Sequence, residues 1–145
     1  MARGAPDWTR PVKEGFSIPD RYSDIVTVDE TGWVLLGTIS GKGKIIKVSF
    51  WISTTDNVDN DEIGIDVDGE GISSRKIGDL LTYGCFGDTN EIWKLQMYNS
   101  VDGKYGVLFD EILFFFTSVE FYYNAAAITD PRTIEILTIH HFITS

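Results

Sequence analysis

The sequence predicts an all-β fold: an antiparallel β-sandwich of about eight strands behind an extended N-terminal arm. Three observations predict it. Apolar residues recur with period two, not with helical spacing, in Ile45–Ser53, Glu91–Tyr98 and Val119–Tyr123. Turn clusters rich in glycine, aspartate and serine separate these runs. No long helical pattern alternates with them, which disfavours α/β architectures.

Residues 1–24 contain three of the four prolines, Pro6, Pro11 and Pro19, and no sustained apolar period. Proline fixes its own φ and biases its predecessor toward extended geometry, so this stretch reads as an arm. Its Trp8, Phe16, Ile18 and Tyr22 are candidate anchors, either on its own domain or on a neighbouring subunit in an assembly. Residues 25–145 then form the sandwich.

The first strands are expected at Ile25–Val28 and Trp33–Ile39, the second ended by Ser40-Gly41-Lys42-Gly43. Two glycines there permit a tight reversal, so Trp33–Ile39 and Ile45–Ser53 should pair as a hairpin. In the latter, Ile46, Val48, Phe50 and Ile52 face one way. Residues 54–62, TTDNVDNDE, read as an acidic loop, followed by alternating Ile63, Ile65 and Val67 and an Asp68-Gly69-Glu70-Gly71 turn. Ser73 and Ser74 are placed to cap one helical turn reaching Leu81.

Glu91–Tyr98 sets Ile92, Lys94, Gln96 and Tyr98 against Trp93, Leu95 and Met97. An Asp102-Gly103 step returns the chain to Tyr105–Phe109. Glu111–Ala127, with Phe114, Phe115 and Phe116, is expected to supply the central strand. Thr133–Thr144, apolar on both faces, closes the fold. At 145 residues the chain can bury roughly 70% of its unfolded surface in one domain.

The net charge of −10 argues against nucleic acid as a direct partner, since phosphate binding needs a concentrated basic surface. The opening residues lack a signal-peptide h-region and no apolar run approaches a membrane span, so a soluble protein made in the cytoplasm is expected. One cysteine, Cys85, allows no internal disulfide and lacks a neighbouring histidine.

Candidate chemistry is sparse. Seven carboxylates crowd residues 56–70, and Asp59, Asp61, Asp66 and Asp68 are candidate calcium ligands, although no calcium-loop spacing is matched. His140 and His141 point to opposite faces of a strand and cannot share a metal. No phosphate loop, nucleophile elbow or HExxH motif occurs. No cofactor and no catalytic role are therefore expected. Trp33, Trp51 and Trp93 are candidate ligand or interface aromatics, able to stack on sugar rings or to be covered by a partner.

Two features resemble a known class. Ala2–Trp8 (ARGAPDW) looks like the start of many small structural proteins of tailed bacteriophages. Ile65-Asp66-Val67-Asp68-Gly69-Glu70, Leu80-Leu81, Gly84, Tyr105–Phe109 and Phe116–Asn124 together resemble viral-type jelly-roll domains of decoration, collar and tail-adhesin proteins. The resemblance implies a jelly roll built into a virion, commonly as a homotrimer, with other capsid or tail proteins as partners. It brings no catalytic residues, and it makes the Asp68-Gly69-Glu70 turn structural. The alternative expectation is a carbohydrate-binding or host-receptor-binding module with a host glycan as partner.

Overall fold

The computed structural model describes residues 20–86 and 91–142. Ten strands follow one another as β1 (Asp20–Val28), β2 (Gly32–Ser40), β3 (Gly43–Ser53), β4 (Glu62–Val67), β5 (Ile72–Lys76), β6 (Trp93–Asn99), β7 (Lys104–Phe109), β8 (Leu113–Phe115), β9 (Ser118–Ala125) and β10 (Arg132–Phe142). Among the described residues a six-residue helix, α1 (Ile77–Thr82), follows β5.

Two antiparallel sheets pack face to face. One has the order β1-β10-β3-β7-β6, with β8 also on β3, and the other β2-β9-β4-β5. The pairs nest in the chain: β1 with β10, β2 with β9, β3 with β8 and β4 with β5. Nesting of this kind results when one long hairpin is rolled so that successive pairs fall in alternate sheets, which is the jelly roll. The β6–β7 hairpin is an addition. It continues the β3 edge beyond β8, pairing Lys104–Phe109 with Val48–Ser53.

The corner where the chain changes sheets explains two departures from the sequence expectation. β2 and β3 do not form a hairpin, because β2 pairs with β9 and β3 with β10. Gly41 (φ 134°) turns a corner there, and its N–H donates to the Thr117 carbonyl at 2.8 Å. The expected central strand at Glu111–Ala127 is likewise split at Phe116–Thr117. β8 stays in the large sheet, and β9 lies inside the small one. Of the three phenylalanines only Phe115 is buried.

Asp68 fastens this corner. At φ 56° it turns β4 toward β5, and its carboxylate accepts the backbone N–H groups of Phe116, Thr117 and Ser118 at 2.7–3.1 Å. Three converging donors, with Thr117 N–H foremost, hold its pKa below the usual carboxylate range. The structural role expected of the Asp68-Gly69-Glu70 turn therefore has a concrete atom behind it.

The core lies between the sheets. Val48, Phe50 and Ile52 of β3 and Ile134 and Ile136 of β10 meet Val119, Phe121 and Tyr123 of β9 and Ile63 and Ile65 of β4. Phe50 and Phe121 contact edge-on across the interface, centroids 6.1 Å apart. Ile46 departs from the expected face. The ladder slips between Ile139 and His140 and leaves Ile46 as the extra residue of a bulge, so Ile45 takes the interior position.

Two further boundaries differ. β1 begins at Asp20, not at residue 25, so residues 20–24 belong to the sandwich. Tyr22 stacks on Phe121 with centroids 6.2 Å apart. Ser73 and Ser74 do not cap a helix: they pair in β5 with Ile65 and Gly64, and α1 starts after Lys76 with no side-chain cap.

Candidate functional site

The acidic loop after β3 folds inward around one cation. Arg132, the first residue of β10, is fully buried beneath it. Its Nε donates to Asp61 Oδ2 at 2.9 Å and its Nη1 to Asp56 Oδ2 at 2.5 Å. Nη1 and Nη2 also donate to the carbonyls of Asp130 and Ala127 at 2.9 and 2.8 Å. The hydroxyl of Tyr123 donates to Asp61 Oδ2 at 2.5 Å, and the Ala126 N–H to Asp61 Oδ1 at 3.0 Å.

Burial works against the charge of Arg132, but its hydrogen bonds to Asp61 and Asp56 outweigh that, and its pKa is raised. Burial, then the charge of Asp61, pushes the Tyr123 phenol well above its ordinary value. Asp56 is held far below the carboxylate range by the N–H of Asp130, the Thr129 hydroxyl and N–H, and Arg132. Every group in this cluster already has its partner, which suits a structural tie between loop and sheet.

The calcium candidates do not converge. Asp59 accepts from the Tyr98 hydroxyl, Asp61 holds Arg132, Asp66 accepts the Gly71 N–H at 3.2 Å, and Asp68 holds the sheet corner. Among the described residues no three His, Cys, Asp or Glu side chains group as metal ligands. The carboxylates are near one another in sequence because they tie separate turns.

Of the candidate tryptophans, Trp93 is a core residue. It is 3% exposed, stacked on Phe50 at 6.2 Å and edge-on to Phe109 at 4.9 Å. Burial removes it from the ligand aromatics. Trp33 and Trp51 lie on opposite outer faces of the sandwich, not on one hairpin. Each crosses a glycine. A Cβ on Gly64 would sit 3.2 Å from Trp33 Cζ3, and one on Gly106 would sit 2.5 Å from Trp51 Cζ3. The glycines are the cut-outs in which the indoles rest.

Around Trp51 the outer face of the six-stranded sheet forms the cross-strand row Ile25, Glu135, Trp51, Gly106, Met97. The next rows bring Leu137, Ser49 and Lys94, then Arg21, Ile139 and Lys47. Ile25, Met97, Leu137 and Ile139 are 63, 43, 38 and 37% exposed, enough to make this an apolar outer face. A cavity of about 370 Å³ runs along it between Ile25, Trp51, Met97 and Lys104.

The opposite face, on the four-stranded sheet, carries Trp33, Leu35, Tyr122 and Ile72 with Glu62, Asp66 and Glu120. Trp33 meets Tyr122 edge-on, centroids 6.4 Å apart. The Tyr122 hydroxyl donates to Glu120 Oε2 at 2.9 Å, and Asn124 Nδ2 donates to Glu62 Oε2 at 3.3 Å. Sequence reasoning named the two tryptophans but missed both rows, because a row joins residues from strands far apart in the chain.

The remaining candidates lie elsewhere. Tyr22 is on β1 with its hydroxyl against Gly37 and Asp24, while Trp8, Phe16 and Ile18 lie outside the described residues. Cys85 is buried beside the helix. His140 points inward beside Thr138 Oγ1 at 3.1 Å. Among the described residues no helix is long and apolar enough to cross a membrane. No protein family matches this chain, and no curated protein matches it in sequence.

Proposed function

We propose that this protein is a non-catalytic structural component of a bacteriophage particle, a jelly-roll domain that works by assembling with copies of itself and with capsid or tail proteins. The observation that carries the assembly reading is the pair of outer faces. Each sets a half-open tryptophan among exposed aliphatic side chains, and clustered apolar surface of this kind is typical of interaction sites. The buried titratable groups support it from the other side, since Arg132, Asp61 and Tyr123 are committed to one another and hold the scaffold. The assignment to a virion rests on the resemblance of residues 65–124 to viral jelly-roll domains, and is an analogy of fold.

Mass spectrometry of density-gradient-purified particles from the source tests it. Recovery of the chain with the particle, in a fixed ratio to the major capsid or tail protein, is expected. Its absence from particles, with the free protein abundant in the lysate, would contradict the reading.

One observation favours a second reading, a carbohydrate-binding module. Trp33 offers an open ring beside Tyr122, Asn124 and Glu120, a combination of aromatic plane and hydrogen-bonding groups that suits a pyranose. Tryptophan emission titrated with host polysaccharides, with Trp33→Ala as control, distinguishes it: a saturable shift lost in the variant supports sugar binding.

A further inference from the structure

The two outer faces differ in charge. On the six-stranded sheet Arg21, Lys47, Lys94 and Lys104 share the face with Glu135. Lys94 is bridged to Asp110 at its rim at 3.0 Å, and Lys104 donates to Ser53 Oγ at 2.8 Å. On the four-stranded sheet Glu62, Asp66 and Glu120 share the face, among the residues of its described strands, with one basic side chain, Lys76 on the outer strand. A basic face on a chain of net charge −10 is a local concentration against the overall balance. Its complement, of opposite sign and similar apolar content, is the far side of the same molecule.

We propose that copies of the chain associate head to tail, the basic outer face of the six-stranded sheet in one copy seated on the acidic outer face of the four-stranded sheet in the next. This deepens the assembly reading and rests on it. A symmetric dimer through either face would set like charges against each other, lysines on lysines or carboxylates on carboxylates, which complementary interfaces avoid. The head-to-tail arrangement pairs opposite signs and covers Trp51, Ile25 and Met97 of one copy with Trp33, Leu35 and Tyr122 of its neighbour. Because the faces lie on opposite sides of the sandwich, each copy accepts two neighbours. Such a contact propagates into an open stack, or into a ring where the rotation between copies closes.

Two double variants of the full chain test this. Lys47→Glu with Lys104→Glu disables the basic face, and Glu62→Lys with Glu120→Lys disables the acidic face. Circular dichroism confirms that each is folded, and native mass is read by light scattering. Each variant alone is expected to associate at least tenfold more weakly than the parent. Their equimolar mixture should restore complexes, because each supplies the face the other lacks. Loss in one variant with the other unaffected would mean a symmetric contact and overturn the proposal. Unchanged assembly in both would overturn it too, while leaving a structural role through another surface intact.

Salt supplies a second reading that needs no substitution. Raising sodium chloride from about 0.05 to about 0.5 M shortens the screening length severalfold and should weaken the parent's association. Association unaffected or strengthened by salt would show that the charges do not direct it.

Discussion

Arg132 and Asp61 face each other at 2.9 Å, Nε to Oδ2, with both side chains almost wholly removed from solvent. A charge in that position is tolerable only with its counter-charge present. Arg132→Met or Asp61→Leu alone should each cost about 3–5 kcal/mol, the range for breaking a buried pair. The double variant should cost clearly less than the two together, since no uncompensated charge remains between them. Guanidinium denaturation of the four proteins checks this, and strict additivity would contradict the coupling.

Asp68 predicts a pH dependence. Its folded pKa is depressed, chiefly by the Thr117 N–H, so its contribution is fully present above the unfolded value near about 3.9 and is lost as pH falls through the lower folded value. Asp56 and Asp130 are depressed in the same direction, so melting temperature should fall through this acid window. Asp68→Asn keeps a residue that tolerates positive φ and removes the charge. It should melt lower at neutral pH and lose less stability on acidification. A parallel pH profile in parent and variant would sink this account of the corner.

Trp51 reports on its own face through Gly106. A methyl group there would lie 2.5 Å from the indole, so Gly106→Ala must displace the ring or strain the strand. A cost of about 1–3 kcal/mol is expected, as for other overpacked sites, with a change in tryptophan emission. Unaltered emission together with unaltered stability would show that the indole does not rest on Gly106.

The domain start can be measured by truncation. A chain beginning at residue 20 keeps all of β1, whereas one beginning at residue 25 loses the pairing of Asp20–Asp24 with Ile136–His140 and the Tyr22–Phe121 stack. The shorter chain should melt several degrees lower than the longer one. Equal melting temperatures would return residues 20–24 to the arm.

The fold class was legible because alternation is local: Val48, Phe50 and Ile52, or Val119, Phe121 and Tyr123, state their buried face within five residues. Where the alternation breaks, the sequence misled. The bulge at Ile46 moved Ile45 inward, and the one between Leu95 and Met97 sent Met97 out and Tyr98 in. Pairing was less legible, since Gly41 and Gly43 suit a hairpin and a corner equally and only the β3–β10 ladder decides between them. The candidate site was legible as tryptophans but not as faces. Trp93 and Trp51 look alike in sequence, yet one fills the core and the other lies across Gly106, the glycine directly opposite it on β7. Arg132 gave no warning at all, because nothing local distinguishes a buried arginine at a strand start from an exposed one.

Native mass by light scattering over a wide concentration range tests the proposed assembly most directly. Complexes that are multiples of the 16.3 kDa chain and that dissociate on dilution are expected. A single species of 16.3 kDa at every concentration, in low salt and in the presence of no other protein, would contradict it.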